Sequence, residues 1–218
     1  NGSVEIIDGV ALVRVRRSIR AQRVTSAALI ALDPHTGEPL WWRLLGSVGA
    51  LPYQRDALFS RGLPGHAGRV YLADPIGVRA CLRAADGTVE WMRLGSGLGQ
   101  SSGRMTATWS LTRPIVHGDR VTMISPDRTE IISARTSDGA IVDRIETAAL
   151  NAPTYIFRAG DWLAGGQTGL ITLAPLDRLT AVDDYKMFRV GAGAERIEGV
   201  AWAMGDAIAV PTTSGLLL

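Results

Sequence analysis

Gly99-Gln-Ser101-Ser-Gly103 has the G-x-S-x-G spacing that lifts a serine hydroxyl towards a general base when a strand leads in and a helix leads out. Here the motif lies in a Gly/Ser-rich stretch and Arg104 to Leu111 reads as extended, so it reads as a connection between strands. Gly95-x-Gly97-x-Gly99 and Gly191-x-Gly193 have the glycines of phosphate loops without a β-α-β setting. His35, His66 and His117 fall in or near predicted turns, and no two have metal-ligand spacing. Asp183-Asp184 reads as a charged turn rather than a calcium ligand pair. A lone cysteine, Cys81, excludes an internal disulfide and a Cys-based zinc or iron–sulfur site built from this chain alone; in its apolar strand it reads as a small buried hydrophobe. No residue is assigned a catalytic, cofactor-binding or metal-binding role, and no cofactor is expected.

The charge run Arg14, Arg16, Arg17, Arg20 and Arg23 is the candidate partner-binding feature. Arg14 and Arg16 share one strand face and Val13 and Val15 the other. Arg17 to Arg23 reads as a long hairpin loop, and loops on a rigid scaffold often carry binding. The functional reading is an acidic protein partner or an anionic surface; the bland one is a solvated strand face and loop.

The elements that must position these residues are β-strands. The 218 residues are 46% hydrophobic and 20% charged, which argues against disorder and suits one all-β domain with a sizeable core. A net charge of +2 is too weak to imply nucleic acid. No apolar run is long enough to span a bilayer, and no signal-sequence pattern opens the chain. A turn glycine followed by a β-rich run recurs at Gly9, Gly68, Gly118, Gly160 and Gly205, with spacings of 59, 50, 42 and 45 residues. Pro64 and Pro114 each lie four residues before their glycine. Within the units a second turn recurs: Asp33 to Thr36-Gly37 before Trp41, Asp86-Gly87 before Trp91, and Asp138-Gly139 before Asp143. The large ring four residues after the glycine lies one pleat into the outgoing strand, where it can fill the gap between neighbouring twisted sheets. Asp143 takes that place in the third unit and is expected to weaken the packing. The fourth unit is degenerate: Gly165 to Thr168 reads as a turn, Leu170 to Leu173 as a strand and Tyr185 to Val190 as the last. Thr180 to Lys186 is the one stretch ambiguous between helix and strand.

A repeat of this period predicts radially arranged sheets: an all-β propeller of four-stranded antiparallel blades, four to five of them. The expected blades are 1–46, 56–96, 105–147, 152–190 and a partial 195–218 within one domain, 1–218. The pattern Ala31-x-Asp33-x-x-Thr36-Gly37-x-x-x-Trp41, with Asp86-Gly87 and Trp91 as a second copy, resembles the repeat of the quinoprotein-like (PQQ-like) β-propeller family. The second unit has Cys81 and Arg83, and the third Ser133 and Arg135, where that family often shows Ala and Asp. The resemblance implies a propeller and an exported, periplasmic bacterial protein.

Three functional readings follow from the resemblance. The first is a non-catalytic scaffold that binds a protein partner through rigidly presented loops or a strand edge, a version of which resembles the envelope-assembly propellers that assist outer-membrane protein insertion. The second is a fragment of a quinoprotein oxidoreductase; such enzymes resemble an eight-bladed disc with a central calcium and often a cysteine pair, which a lone Cys81 cannot supply. The third is a ligand sensor using the central funnel, with Trp109 or Trp202 as stacking platforms; both read more simply as core or inter-blade residues. Because the last unit stops at Leu216-Leu217-Leu218, the expected ring is part of a larger one, completed by further blades on the same or another chain. The alternative is a smaller ring closed by Val4 to Ile7 as the missing strand of the last unit.

Overall fold

Alternating burial along the β-rich runs folds the chain into five antiparallel sheets. The computed structural model describes residues 4–19, 24–49, 62–74, 76–95, 113–125, 129–167, 169–190, 197, 201–205 and 207–217. Sheet 1 holds β1 (Val4–Ile7), β2 (Val10–Ile19), β3 (Val24–Leu32) and β4 (Pro39–Gly49). Sheet 2 holds β5 (Gly65–His66), β6 (Arg69–Ala73), β7 (Val78–Arg83) and β8 (Val89–Leu94). Sheet 3 holds β9 (Ile115–His117), β10 (Arg120–Ile124), β11 (Glu130–Arg135) and β12 (Ile141–Glu146). Sheet 4 holds β13 (Tyr155–Ala159), β14 (Trp162–Gln167), β15 (Leu170–Pro175) and β16 (Lys186–Arg189). Sheet 5 has three strands, β17 (Trp202–Met204), β18 (Ala207–Thr212) and β19 (Gly215–Leu217). Every sheet is a meander in sequence order, the arrangement of propeller blades.

The core is divided into layers between successive sheets. In β3 the burial alternates strictly, so Thr25, Ala27, Leu29 and Ala31 face inward. Leu12, Leu29 and Ala31 of sheet 1 pack against Val70, Leu72 and Leu82 of sheet 2. Tyr71, Cys81 and Trp91 meet Val121, Met123 and Ala134 of sheet 3. Ile131 and Ile145 meet Leu163 and Ala174 of sheet 4, and Tyr155 and Leu173 meet Ala201 and Val210 of sheet 5. At about 25 cal/mol per Å² of apolar surface, each layer contributes to holding one blade on the next.

Several sequence expectations change. β2 runs through Arg17 to Ile19, pairing Arg17 with Ser26 and Ile19 with Val24, so the first unit owes its length to long strands and not to a long loop. Gly165 and Gly166 lie inside β14 rather than in a turn; Pro153 sits against the first and the Tyr155 ring occupies the space a side chain on the second would need. The stretch 180–186 contains a 3-10 turn, Val182–Asp184, before β16 begins. Val4–Ile7 pairs with β2 as part of sheet 1 and not with β19, so it does not close the last sheet. No helix among the described residues is long and apolar enough to cross a membrane.

Candidate functional site

The inter-blade joint is built from two residues of an outer strand and a hairpin of the following sheet. In β4, Trp41 donates its indole N–H to the Ala84 carbonyl at 2.9 Å, and Arg43 donates Nε–H to the Gly87 carbonyl at 2.9 Å. In β8, Trp91 donates to the Thr136 carbonyl at 2.8 Å and Arg93 to the Asp138 carbonyl at 3.1 Å. The ring lies on the hairpin glycine: a Cβ on Gly87 would stand 2.5 Å from Trp41, and one on Gly139 would stand 2.6 Å from Trp91. Both glycines also have φ near +67°, so only glycine meets both demands without strain. Trp41 and Trp91 thus each connect an outer strand to a hairpin of the following sheet. Arg43 and Arg93 were missed, although the repeated Trp-x-Arg spacing was visible.

The hairpins share an Asx-type lock. Backbone N–H groups of His35 and Thr36 reach the Asp33 carboxylate, Thr88 N–H reaches Asp86, and Ala140 N–H reaches Asp138. These main-chain donors are the largest influence holding all three carboxyls below their usual range. Arg83 and Arg135 each bridge to the aspartate three residues on.

The later sheets carry different chemistry at the same register position. Asp143 pairs with Arg120 at 2.6 Å, and Arg120 reaches the Asp177 carbonyl of sheet 4 at 3.3 Å. At this position an ion pair within sheet 3 stands where the first two sheets have a tryptophan. In sheet 4 the position is Lys186, whose Nζ stands 4.5 Å over the ring of Trp162 in the same sheet.

Behind the second joint lie Tyr71 and Cys81, both fully buried. Burial pushes the Cys81 thiol up to about 12, with the Glu90 carboxylate adding to it, and pushes the Tyr71 hydroxyl up to about 12. Their ordinary values are 9.0 and 10.0, so the folded state favours the neutral forms. That stability is complete below about pH 9 and is lost as the pH rises from there through about 12. Native Cys81 is expected to resist iodoacetamide at neutral pH, and Cys81→Ala to flatten the alkaline fall of the urea midpoint. Rapid labelling of the folded protein, or an unchanged alkaline slope, would contradict this.

The leading strands of all five sheets converge on one cavity of about 890 Å³. Glu5 of β1, His66 of β5, Arg113 ahead of β9, Arg158 of β13 and Trp202 of β17 line it. Trp202 is 45% exposed there, which corrects its assignment to the core or an inter-blade layer. Of the three histidines only His66 lines this cavity; His35 sits on the exposed hairpin after β3 and His117 ends β9. Among the described residues no group of three or more His, Cys, Asp or Glu could hold a metal ion.

The arginine run divides. Arg14 is buried, at 6% exposure, and pairs across to Leu29; Arg16 pairs with Ala27; Arg17 is exposed. Arg20 and Arg23 lie outside the described residues, as do Trp109, the Gly99-to-Gly103 motif and Gly191-x-Gly193. Asp184 bridges to Arg178 at 3.2 Å, and the Asp183-Asp184 pair lies in a charged turn.

No protein-family model matches the chain. The chain is similar to the outer membrane protein assembly factor BamB of Yersinia pestis, with 25% identity over 211 residues, 86% of this chain and 50% of that protein. It is similar to the crystal structure of BamB from Moraxella catarrhalis, with a TM-score of 0.52, 19% identity, and coverage of 80% of this chain and 49% of that one. It is also similar to a quinohemoprotein alcohol dehydrogenase from Pseudomonas putida HK5, with a TM-score of 0.56, 10% identity, and coverage of 96% of this chain and 38% of that one. The chain spans about half the length of the curated relative it matches. The fold is the quinoprotein-like β-propeller that the repeat resembles.

Proposed function

We propose that this chain is a non-catalytic β-propeller scaffold for protein–protein contact, acting in an exported protein that takes part in outer-membrane protein assembly. The observation that carries the reading is the 25% identity to a BamB over 86% of the chain. The geometry supports it: hydrogen bonds to hairpin carbonyls tie sheet 1 to sheet 2 and sheet 2 to sheet 3, giving a scaffold on which loops can be presented. The arginine run is the proposed contact for an acidic partner surface, with Arg16, Arg17, Arg20 and Arg23 as its members, Arg14 itself being buried.

The test is cross-linking in the native envelope followed by capture of the whole natural protein. Recovery of an outer-membrane assembly component, lost in an Arg17→Glu, Arg20→Glu double variant, is the expected result. Capture unaffected by the double variant would remove the arginine contact while leaving the scaffold. Dye reduction with an alcohol substrate, appearing only after addition of the quinone cofactor and calcium, would overturn the scaffold reading itself.

A further inference from the structure

Between sheets 2 and 3 lies a cleft of about 760 Å³ whose chemistry departs from the corresponding space between sheets 1 and 2. The register makes the comparison direct. Leu29 in β3 pairs with Arg43 of the outer strand, and Arg79 in β7 pairs with Arg93. Leu29 is wholly buried in the apolar layer; Arg79 stands in its place. On the facing sheet, Met92 pairs with Ala80 and joins the apolar layer against sheet 1, whereas Arg144 pairs with Ile132 at the same position in sheet 3.

Arg79, Arg93 and Arg144 therefore line one cleft, with Glu130 as its carboxylate. Glu130 is engaged by Arg144 at 3.3 Å. Arg93 is held by the Asp138 carbonyl. Arg79 is only 8% exposed, its Nε has no hydrogen-bond partner, and it forms no ion pair among the described residues. Its guanidinium lies over Gly95, where an added Cβ would stand 3.1 Å from one of its nitrogens. Arginine keeps its proton in proteins, so it cannot escape burial by neutralising itself. A buried charge without a counter-charge is strongly unfavourable. Burial, reinforced by Arg144, pulls the Arg79 guanidinium below its ordinary range, and Glu130 only partly opposes this.

We infer that the cleft between sheets 2 and 3 is an oxyanion site, in which Arg79 supplies a planar two-pronged donor and Arg144 a second cation at the mouth. The ligand is a carboxylate or phosphate group, either free in solution or carried on an acidic side chain of a protein partner. A planar guanidinium matches either group with two parallel hydrogen bonds. The site stands on these residues and does not rest on the scaffold reading.

The test is thermal unfolding and titration calorimetry of the whole protein with inorganic phosphate, succinate or hexaglutamate, each against chloride at equal ionic strength. At about one hundred times Kd, the bound anion is expected to raise Tm by roughly 5–10 °C. Arg79→Leu installs the residue that sheet 1 uses at this position, and is expected to fold and to lose the response. Arg144→Gln alters an exposed side chain and is expected to weaken binding roughly tenfold. A response to phosphate or succinate identifies a free anion; a response to hexaglutamate alone identifies an acidic partner. No response to any of the three, or a full response in Arg79→Leu, overturns the proposal.

Discussion

Replacing Trp91 with alanine is expected to cost about 4 kcal/mol, close to the largest loss any single truncation here should produce. Trp91 is 6% exposed, packs beside Tyr71 with ring centroids 6.3 Å apart, and donates to the Thr136 carbonyl of the next sheet. The change leaves a cavity in the layer between sheets 2 and 3 and removes the donor from a half-buried carbonyl. Trp41→Ala should cost less, about 3 kcal/mol, because that ring is only partly buried. Since domains hold only about 5–15 kcal/mol in total, the Trp91 variant should also separate unfolding into two transitions as sheets 1 and 2 lose their grip on sheet 3. Urea unfolding followed by fluorescence and by circular dichroism is the measurement. Coincident single transitions with a loss under about 1 kcal/mol would show that the joint is not what couples the blades.

The second large effect separates two glycines that look alike in the sequence. Gly37 and Gly87 both sit at positive φ in the hairpin before an outer strand. Around Gly37 nothing among the described residues lies within 4 Å of a would-be Cβ, whereas at Gly87 that atom would overlap Trp41. Gly37→Ala should therefore show only the left-handed backbone cost, about 1 kcal/mol. Gly87→Ala should add the displacement of an indole from its seat and reach about 3 kcal/mol. A cycle with Trp41→Ala decides between backbone and ring: Gly87→Ala should fall to roughly the Gly37→Ala value once the indole is gone. Equal costs at the two glycines in the native background would sink the docking account.

The repeat made the sheets legible because its signals are local: a glycine that must take positive φ, a period-two run, an aspartate two or three residues ahead of the main-chain donors it locks. Trp41 and Trp91 could be placed on an inter-blade face from their distance to the turn. What they touch could not be read, since the Ala84 and Thr136 carbonyls lie 43 and 45 residues away. Trp202 was misjudged for a related reason: an apolar residue in a short strand looks the same whether its face meets another sheet or a cavity lined by five separate strands. Arg79 gave no signal at all. Its exceptional setting appears only when β3 and β7 are aligned by their partners, and that alignment is a property of pairing rather than of spacing.

The acceptor at each tryptophan joint is a main-chain carbonyl, and the seat under the ring is a glycine with no side chain. Such a joint recognises the shape of a hairpin and is indifferent to almost everything else in the neighbouring unit. A gene segment encoding one blade could thus be copied, shuffled or replaced by a diverged relative and still find its neighbour, provided the glycine survived. The ion pair of Arg120 with Asp143 lies within sheet 3, and what crosses to sheet 4 is again a hydrogen bond to a main-chain carbonyl, that of Asp177. All three joints thus read the neighbour's backbone, and the third differs in requiring two side chains of its own sheet to change together.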